Sequence, residues 1–266
     1  MNISSINCIR ERTPWLAYQR LNPGASLRLF CFPYAGGGAS AFYNWSSILP
    51  TSVEVCPIQL PGHEHRLKEP PFTRLPELVR ALRQALDSYL DRPFVFYGHS
   101  MGGLMGFEMA RLLQEEHGPQ PLHFFVSGCR GPQVIDTERI TYNLPEPALI
   151  EELRTLNGTP DEVLENPELM QVMLPVLRAD FEVVETYEYT IGPPFAFPIS
   201  AFGGLQDQKI ERHHLEAWRE QTTAYCGVRM LPGGHFFMRT AQPDLLRIIG
   251  QELQGIAYSI ARVERP

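Results

Sequence analysis

Several things are missing from this chain. The five cysteines, Cys8, Cys31, Cys56, Cys129 and Cys226, are odd in number and widely spaced, with no C-x-x-C pair. Neither a disulfide framework nor a zinc site can be read from them. Cys31, Cys56 and Cys129 lie in or beside apolar runs, where a buried, unreactive thiol is expected. Runs of Lys or Arg are also absent and the formal charge is −7, which speaks against a nucleic-acid groove. No apolar stretch approaches the roughly 18 residues of a membrane span. Segment 1–18 is polar, carries Arg10, Glu11 and Arg12, and lacks an apolar signal core. The expectation is a cytoplasmic protein that neither enters a membrane nor is exported.

What is present is enough for a sizeable core, with 266 residues of which 44% are hydrophobic. Apolar, β-prone runs at 27–33, 53–60, 94–97, 122–127, 199–204 and 228–231 predict strands. Helical spacing is found near 39–49 and over 75–90, 101–116, 208–221 and 243–258. Strands alternating with helices imply a single α/β domain, 1–266, with a mostly parallel sheet and helices on both faces. Such sheets place their sites at the carboxyl ends of the strands. Between about 131 and 198 the alternation breaks. Helix starts recur there at Pro147, Pro160 and Pro167, and the longest helix, 167–187, carries Pro175 as an expected kink. A helical insertion on the site's side of the sheet predicts a lid, whose face with Met170 and Met173 suits a pliable acyl channel.

The stretch Phe94-Val95-Phe96-Tyr97-Gly98-His99-Ser100-Met101-Gly102-Gly103 runs from strand through a tight turn into a helix. Its G-x-S-x-G core has the form of a nucleophile elbow, which lifts a serine hydroxyl clear of the sheet. A side chain at Gly98 or Gly102 is expected to collide with the opposite limb of the turn. The loop Tyr34-Ala35-Gly36-Gly37-Gly38 follows the first strand, but it lacks the G-K-[ST] and G-x-G-x-x-G patterns of nucleotide sites. Its remaining use is to bring a backbone N–H, placed at Ala35, beside the nucleophile, opposite the N–H of Met101. The segment His63-Glu64-His65-Arg66 shows no third metal ligand and predicts a solvated loop.

Asp207 falls just past one strand end and His235 just past the last, giving the order Ser100, Asp207, His235. The rival acid, Glu211, lies a turn into the next helix. His213 and His214 precede the last strand and are expected on the surface, while His99 is expected to point away from the nucleophile in a structural role. An imidazole that takes the serine proton, held in one tautomer by a buried carboxylate, is the chemistry of acyl transfer.

Phe32-Pro33-Tyr34-Ala35-Gly36-Gly37, Leu60-Pro61-Gly62, Gly98-His99-Ser100-Met101-Gly102, Leu177-Arg178-Ala179-Asp180-Phe181 and Pro232-Gly233-Gly234-His235-Phe236-Phe237 together resemble the type II thioesterases, the stand-alone editing enzymes of polyketide and nonribosomal peptide synthesis. They are similar also to the medium-chain thioesterase that acts with fatty acid synthase. One departure is His63, where the family often has arginine. The resemblance implies an α/β-hydrolase fold with a lid, and hydrolysis of acyl groups stranded on the phosphopantetheine arm of acyl or peptidyl carrier proteins. It implies no metal and no cofactor beyond the phosphopantetheine that the substrate brings. A monomer is expected, with Tyr34, Met170 and Met173 as acyl contacts and Arg130, Arg139, Arg154 and Arg178 as carrier-docking residues. A carboxylesterase, lipase or acyltransferase on the same scaffold is the alternative, and a non-catalytic binding protein the more distant one.

Overall fold

The computed structural model describes residues 13–134, 140–156 and 158–263. Six strands form its sheet: β1 (Leu27–Phe32), β2 (Val53–Pro57), β3 (Phe94–His99), β4 (Phe124–Ser127), β5 (Ile199–Gly204) and β6 (Cys226–Leu231). They lie in the order β2-β1-β3-β4-β5-β6, parallel throughout. All residues of β1 to β5 are buried. Strands covered on both faces favour apolar residues at most positions, so they read as hydrophobic runs, broken here by Arg28 of β1 and Glu54 of β2, which pair with each other.

Between strands the chain forms α1 (Trp45–Ile48), α2 (Leu75–Leu86), α3 (Met101–Glu115), α4 (Glu146–Leu156), α5 (Asp161–Leu164), α6 (Pro167–Glu185), α7 (Arg212–Glu216), α8 (Phe237–Thr240) and α9 (Gln242–Val263). Helix α2 buries Leu75, Leu78, Val79, Leu82 and Leu86, the stripe that its 3.6-residue period brings to one face. With α3 and Trp218 it covers one side of the sheet. Trp45 of α1 and Leu245, Leu246, Ile249 and Leu253 of α9 cover the other. Each such fully buried side chain contributes about 1.5–3 kcal/mol. No helix among the described residues is long and apolar enough to cross a membrane.

The strand order reverses between β1 and β3, because the chain leaves β1 towards β2 and returns on the other side. In open parallel sheets the crevice at such a reversal is where ligands bind. The glycine loop follows β1 and the elbow follows β3, so both open into it.

Two segments, 208–221 and 63–66, differ from expectation. The helix expected over 208–221 is a five-residue α7 followed by a 3-10 turn at Ala217–Gln221. The Asp207 carboxylate accepts the N–H groups of Lys209 and Ile210 at 2.9 and 3.1 Å, a side-chain turn that postpones the helix. Helix α6 runs through Pro175, where proline removes one backbone donor. The 63–66 turn is only half solvated: Glu64 and His65 are exposed, but His63 and Arg66 are buried.

Candidate active site

The site is built from three turns at the carboxyl edge of the sheet. Ser100 joins β3 to α3 with φ 53° and ψ −118°, a strained conformation for a residue with a β-carbon. The strain is held by close packing: a β-carbon at Gly98 would lie 2.1 Å from the Gly102 carbonyl oxygen, as expected. At Gly102 the obstacle is different, the Phe32 carbonyl oxygen of β1 at 2.1 Å. The glycine at 102 therefore lets α3 sit against β1.

His235 brings the turns together. Its Nδ1 lies 2.8 Å from Asp207 Oδ2 and its Nε2 3.1 Å from Ser100 Oγ. A carboxylate only accepts, so Nδ1 carries the proton and Nε2 presents its lone pair to the serine hydroxyl. The Asp207 side chain is 1% exposed and that of His235 12%. Burial alone would raise the Asp207 carboxyl. The hydrogen bond and charge of His235, with the N–H groups of Lys209 and Ile210, outweigh it and hold the carboxyl below its ordinary value. Asp207 is thus ionised beside the His235 imidazole.

The rival groups lie elsewhere. Glu211 caps α7, accepting backbone N–H and pairing with the exposed His213, while Nδ1 of His214 accepts the Glu211 N–H. His99 is fully buried, with Nδ1 2.9 Å from Ser127 Oγ. Its ring lies 5.3 Å from that of His235. Burial first, and then the like charge of His235, push His99 well below the ordinary imidazole value. It is a neutral backing to the site.

A cavity of about 590 Å³ adjoins the glycine loop, between that loop, the 62–67 turn, Met173, Val176 and Leu177 of α6, and Arg239. Tyr34 and Met173 line it. Met170 does not; it is 2% exposed in an apolar cluster with Leu149, Leu153, Leu164 and Leu174. Gly36 adopts φ +74°, and the Gly37 N–H donates to Tyr34 O at 2.8 Å, closing the turn that carries Ala35. Among the candidate docking residues, Arg178 donates to Tyr142 O, Arg154 pairs with Glu151 and Asp161, and Arg130 is half-buried. Arg139 lies outside the described residues. No group of three His, Cys, Asp or Glu among the described residues could hold a metal ion. Sequence reasoning missed the buried contact between His63 and Asp180, 2.8 Å apart across 117 positions.

The parallel sheet, the strained serine elbow and the histidine turn beyond the last strand define an α/β-hydrolase. Residues 27–253 match the thioesterase domain, and the chain belongs to the thioesterase family. The gramicidin S biosynthesis protein GrsT of Aneurinibacillus migulanus is 44% identical over 246 residues, 92% of this chain and 96% of that protein. Among solved structures, the RedJ thioesterase from the prodiginine pathway of Streptomyces coelicolor superposes with a TM-score of 0.81 at 39% identity, covering 86% of each chain. The type II thioesterase BorB from the borrelidin biosynthetic cluster gives 0.82 at 32% identity, covering 90% of this chain and 97% of its own.

Proposed function

We propose that this thioesterase removes acyl groups from the phosphopantetheine arm of carrier proteins during polyketide or nonribosomal peptide synthesis, with Ser100 as nucleophile, His235 as base and Asp207 as its orienting acid. The observation that carries the proposal is the relay from Asp207 through His235 to Ser100, at 2.8 and 3.1 Å. Its place in a chain related along 92% of its length to a peptide-biosynthesis protein supports the substrate class.

Ser100 Oγ attacks the thioester carbon while His235 Nε2 takes its proton. The N–H groups of Ala35 and Met101 hold the oxyanion, each worth about 3–4 kcal/mol in the transition state by precedent. As the carbon–sulfur bond breaks, His235 returns the proton to the departing thiolate. Water, deprotonated by the same imidazole, then attacks the acyl-serine, and the released serine is reprotonated. Helices α4 to α6 form the lid over the acyl group, with Tyr34 and Met173 against it. The phosphopantetheine arrives with the carrier and leaves with it.

Hydrolysis of a panel of acyl groups loaded on holo-carrier proteins tests the substrate class, with the matching oxygen esters as comparison. Preference for the oxygen esters would overturn it. Stoichiometric fluorophosphonate labelling, lost in Ser100→Ala, tests the nucleophile. Arg154→Glu should raise KM for acyl-carrier substrates and leave acyl-N-acetylcysteamine turnover unchanged; equal effects on both would remove Arg154 from the docking surface.

A further inference from the structure

His63 is 4% exposed, while the next two residues of its turn are exposed. Its Nδ1 lies 2.9 Å from the Pro61 carbonyl oxygen and its Nε2 2.8 Å from Asp180 Oδ2. Both partners only accept, so both ring nitrogens must donate, and the form of histidine that satisfies the geometry is the imidazolium. Asp180, on α6 and 3% exposed, uses the same Oδ2 to accept the Gly36 N–H at 2.7 Å. One oxygen atom therefore joins helix α6, the 61–66 turn and the glycine loop.

Two further contacts tighten this junction. Leu177, one turn before Asp180, lies so close to Gly36 that a β-carbon there would stand 2.5 Å from its Cδ2. On the other side, the Gln59 amide donates to the His63 carbonyl oxygen at 2.9 Å and accepts the Ala39 N–H at 3.1 Å. The glycine loop is thus held at its centre, Gly36, and just past its end, Ala39, by groups that also hold residue 63.

We propose that His63, as an imidazolium, is a positioning residue that fixes the glycine loop through Asp180 and so aims the Ala35 N–H at the reacting carbonyl. This rests on the assignment of Ala35 as an oxyanion donor. A neutral imidazole has one N–H for two acceptors and must release Pro61 or Asp180. A buried carboxylate stripped of its cation then shifts towards water. That movement weakens the grip of Asp180 Oδ2 on Gly36, one residue from Ala35.

The charged groups facing the imidazole are Asp180 from α6 and Glu64 from its own turn. Arg66 is turned away, towards Glu69 and the Trp15 ring. Burial pulls the imidazole down, but the charge and hydrogen bond of Asp180, the Pro61 carbonyl and Glu64 outweigh it and leave it raised. The pair is intact below the ordinary imidazole value near 6.5 and is lost as pH rises through the higher folded value. The consequence for turnover is an alkaline decline in kcat.

The test is kcat and KM against pH, from neutral into alkali, for the wild type, His63→Gln and His63→Arg on an acyl-N-acetylcysteamine substrate. Fluorophosphonate titration counts competent sites in each. Glutamine should lower kcat roughly ten- to a hundredfold with KM little changed, since misplacement by about 1 Å has that effect. Arginine, a permanent cation, should restore most of kcat and abolish the alkaline decline. A Gln variant with wild-type kcat, or an Arg variant that keeps the wild-type decline, overturns the proposal. If the Gln variant does not fold, the profile of the Arg variant decides alone. A wild-type protein without turnover or labelling would instead sink the assignment of the triad.

Discussion

A β-carbon on Gly204 would stand 2.3 Å from the carbonyl oxygen of Gly234. The end of β5, which launches Asp207, therefore touches the turn that carries His235. Leu205 N–H donates to Leu231 O at 2.8 Å and Gln206 N–H to Gly233 O at 2.9 Å, so the backbone itself sets the spacing of Asp207 and His235. Gly204→Ala should cost about 1–3 kcal/mol of stability. The loss in kcat should be larger, near a hundredfold, because the two turns are pushed apart. Urea unfolding and turnover at one temperature compare the two; wild-type kcat in the folded variant would contradict the spacing argument.

Asp207→Asn keeps an oxygen to accept from Lys209 and Ile210 but removes the charge that orients His235. A fall in kcat of about 10⁴ is expected, with Tm below that of the wild type at neutral pH. The folded carboxyl lies below its ordinary value. Its stabilisation is therefore present above about pH 3.9 and is lost as pH falls through the lower folded value. The variant should lack this part of the acid-side decline in Tm, which melting across acidic pH would detect.

Arg28 and Glu54 form an ion pair at 2.9 Å in the sheet, with side chains 1% and 3% exposed. Arg28 also donates to Tyr89 O and Asp91. Arg28→Met would leave the buried Glu54 carboxylate with the Gln19 amide but no cation and lower unfolding free energy by about 3–5 kcal/mol. The double change Arg28→Met with Glu54→Met should recover much of that loss. Turnover per labelled site should be unchanged in both, because the pair lies outside the site. Denaturant titrations of the three proteins give the comparison.

Met173 stands on the cavity wall, on the face of α6 towards the glycine loop. Met173→Trp should lower kcat/KM for long acyl chains by about tenfold, the scale of a few misfitted methylenes, and spare acetyl. A uniform fall across chain lengths would remove Met173 from the acyl path.

The strands were legible because burial on both faces leaves a mostly apolar run, interrupted where Arg28 and Glu54 satisfy each other across β1 and β2, and α2 because burial on one face leaves a 3.6-residue stripe. The convergence of Ser100, Asp207 and His235 was legible because an elbow and two strand ends have local signatures. His63 was not. Its neighbours in sequence are polar, and what buries it is a carboxylate 117 residues away. The missing helix over 208–210 has the same kind of origin: the Asp207 side chain competes for N–H groups that the apolar pattern alone assigns to a helix. Met170 and Met173 differ by nearly a full turn of α6, and only the packing of α4 and α5 decides which faces the cavity.

Helices α4, α5 and α6 share an oily centre of Leu144, Leu149, Leu153, Leu164, Met170, Leu174 and Leu177, separate from the clusters on the two faces of the sheet. That separation makes α4 and α5 modular, while α6 is tied to the glycine loop through Asp180 and to the sheet-side core through Val183. Evolution, or a protein engineer, could reshape the two short helices freely, but any replacement for α6 would have to carry a carboxylate to the same place.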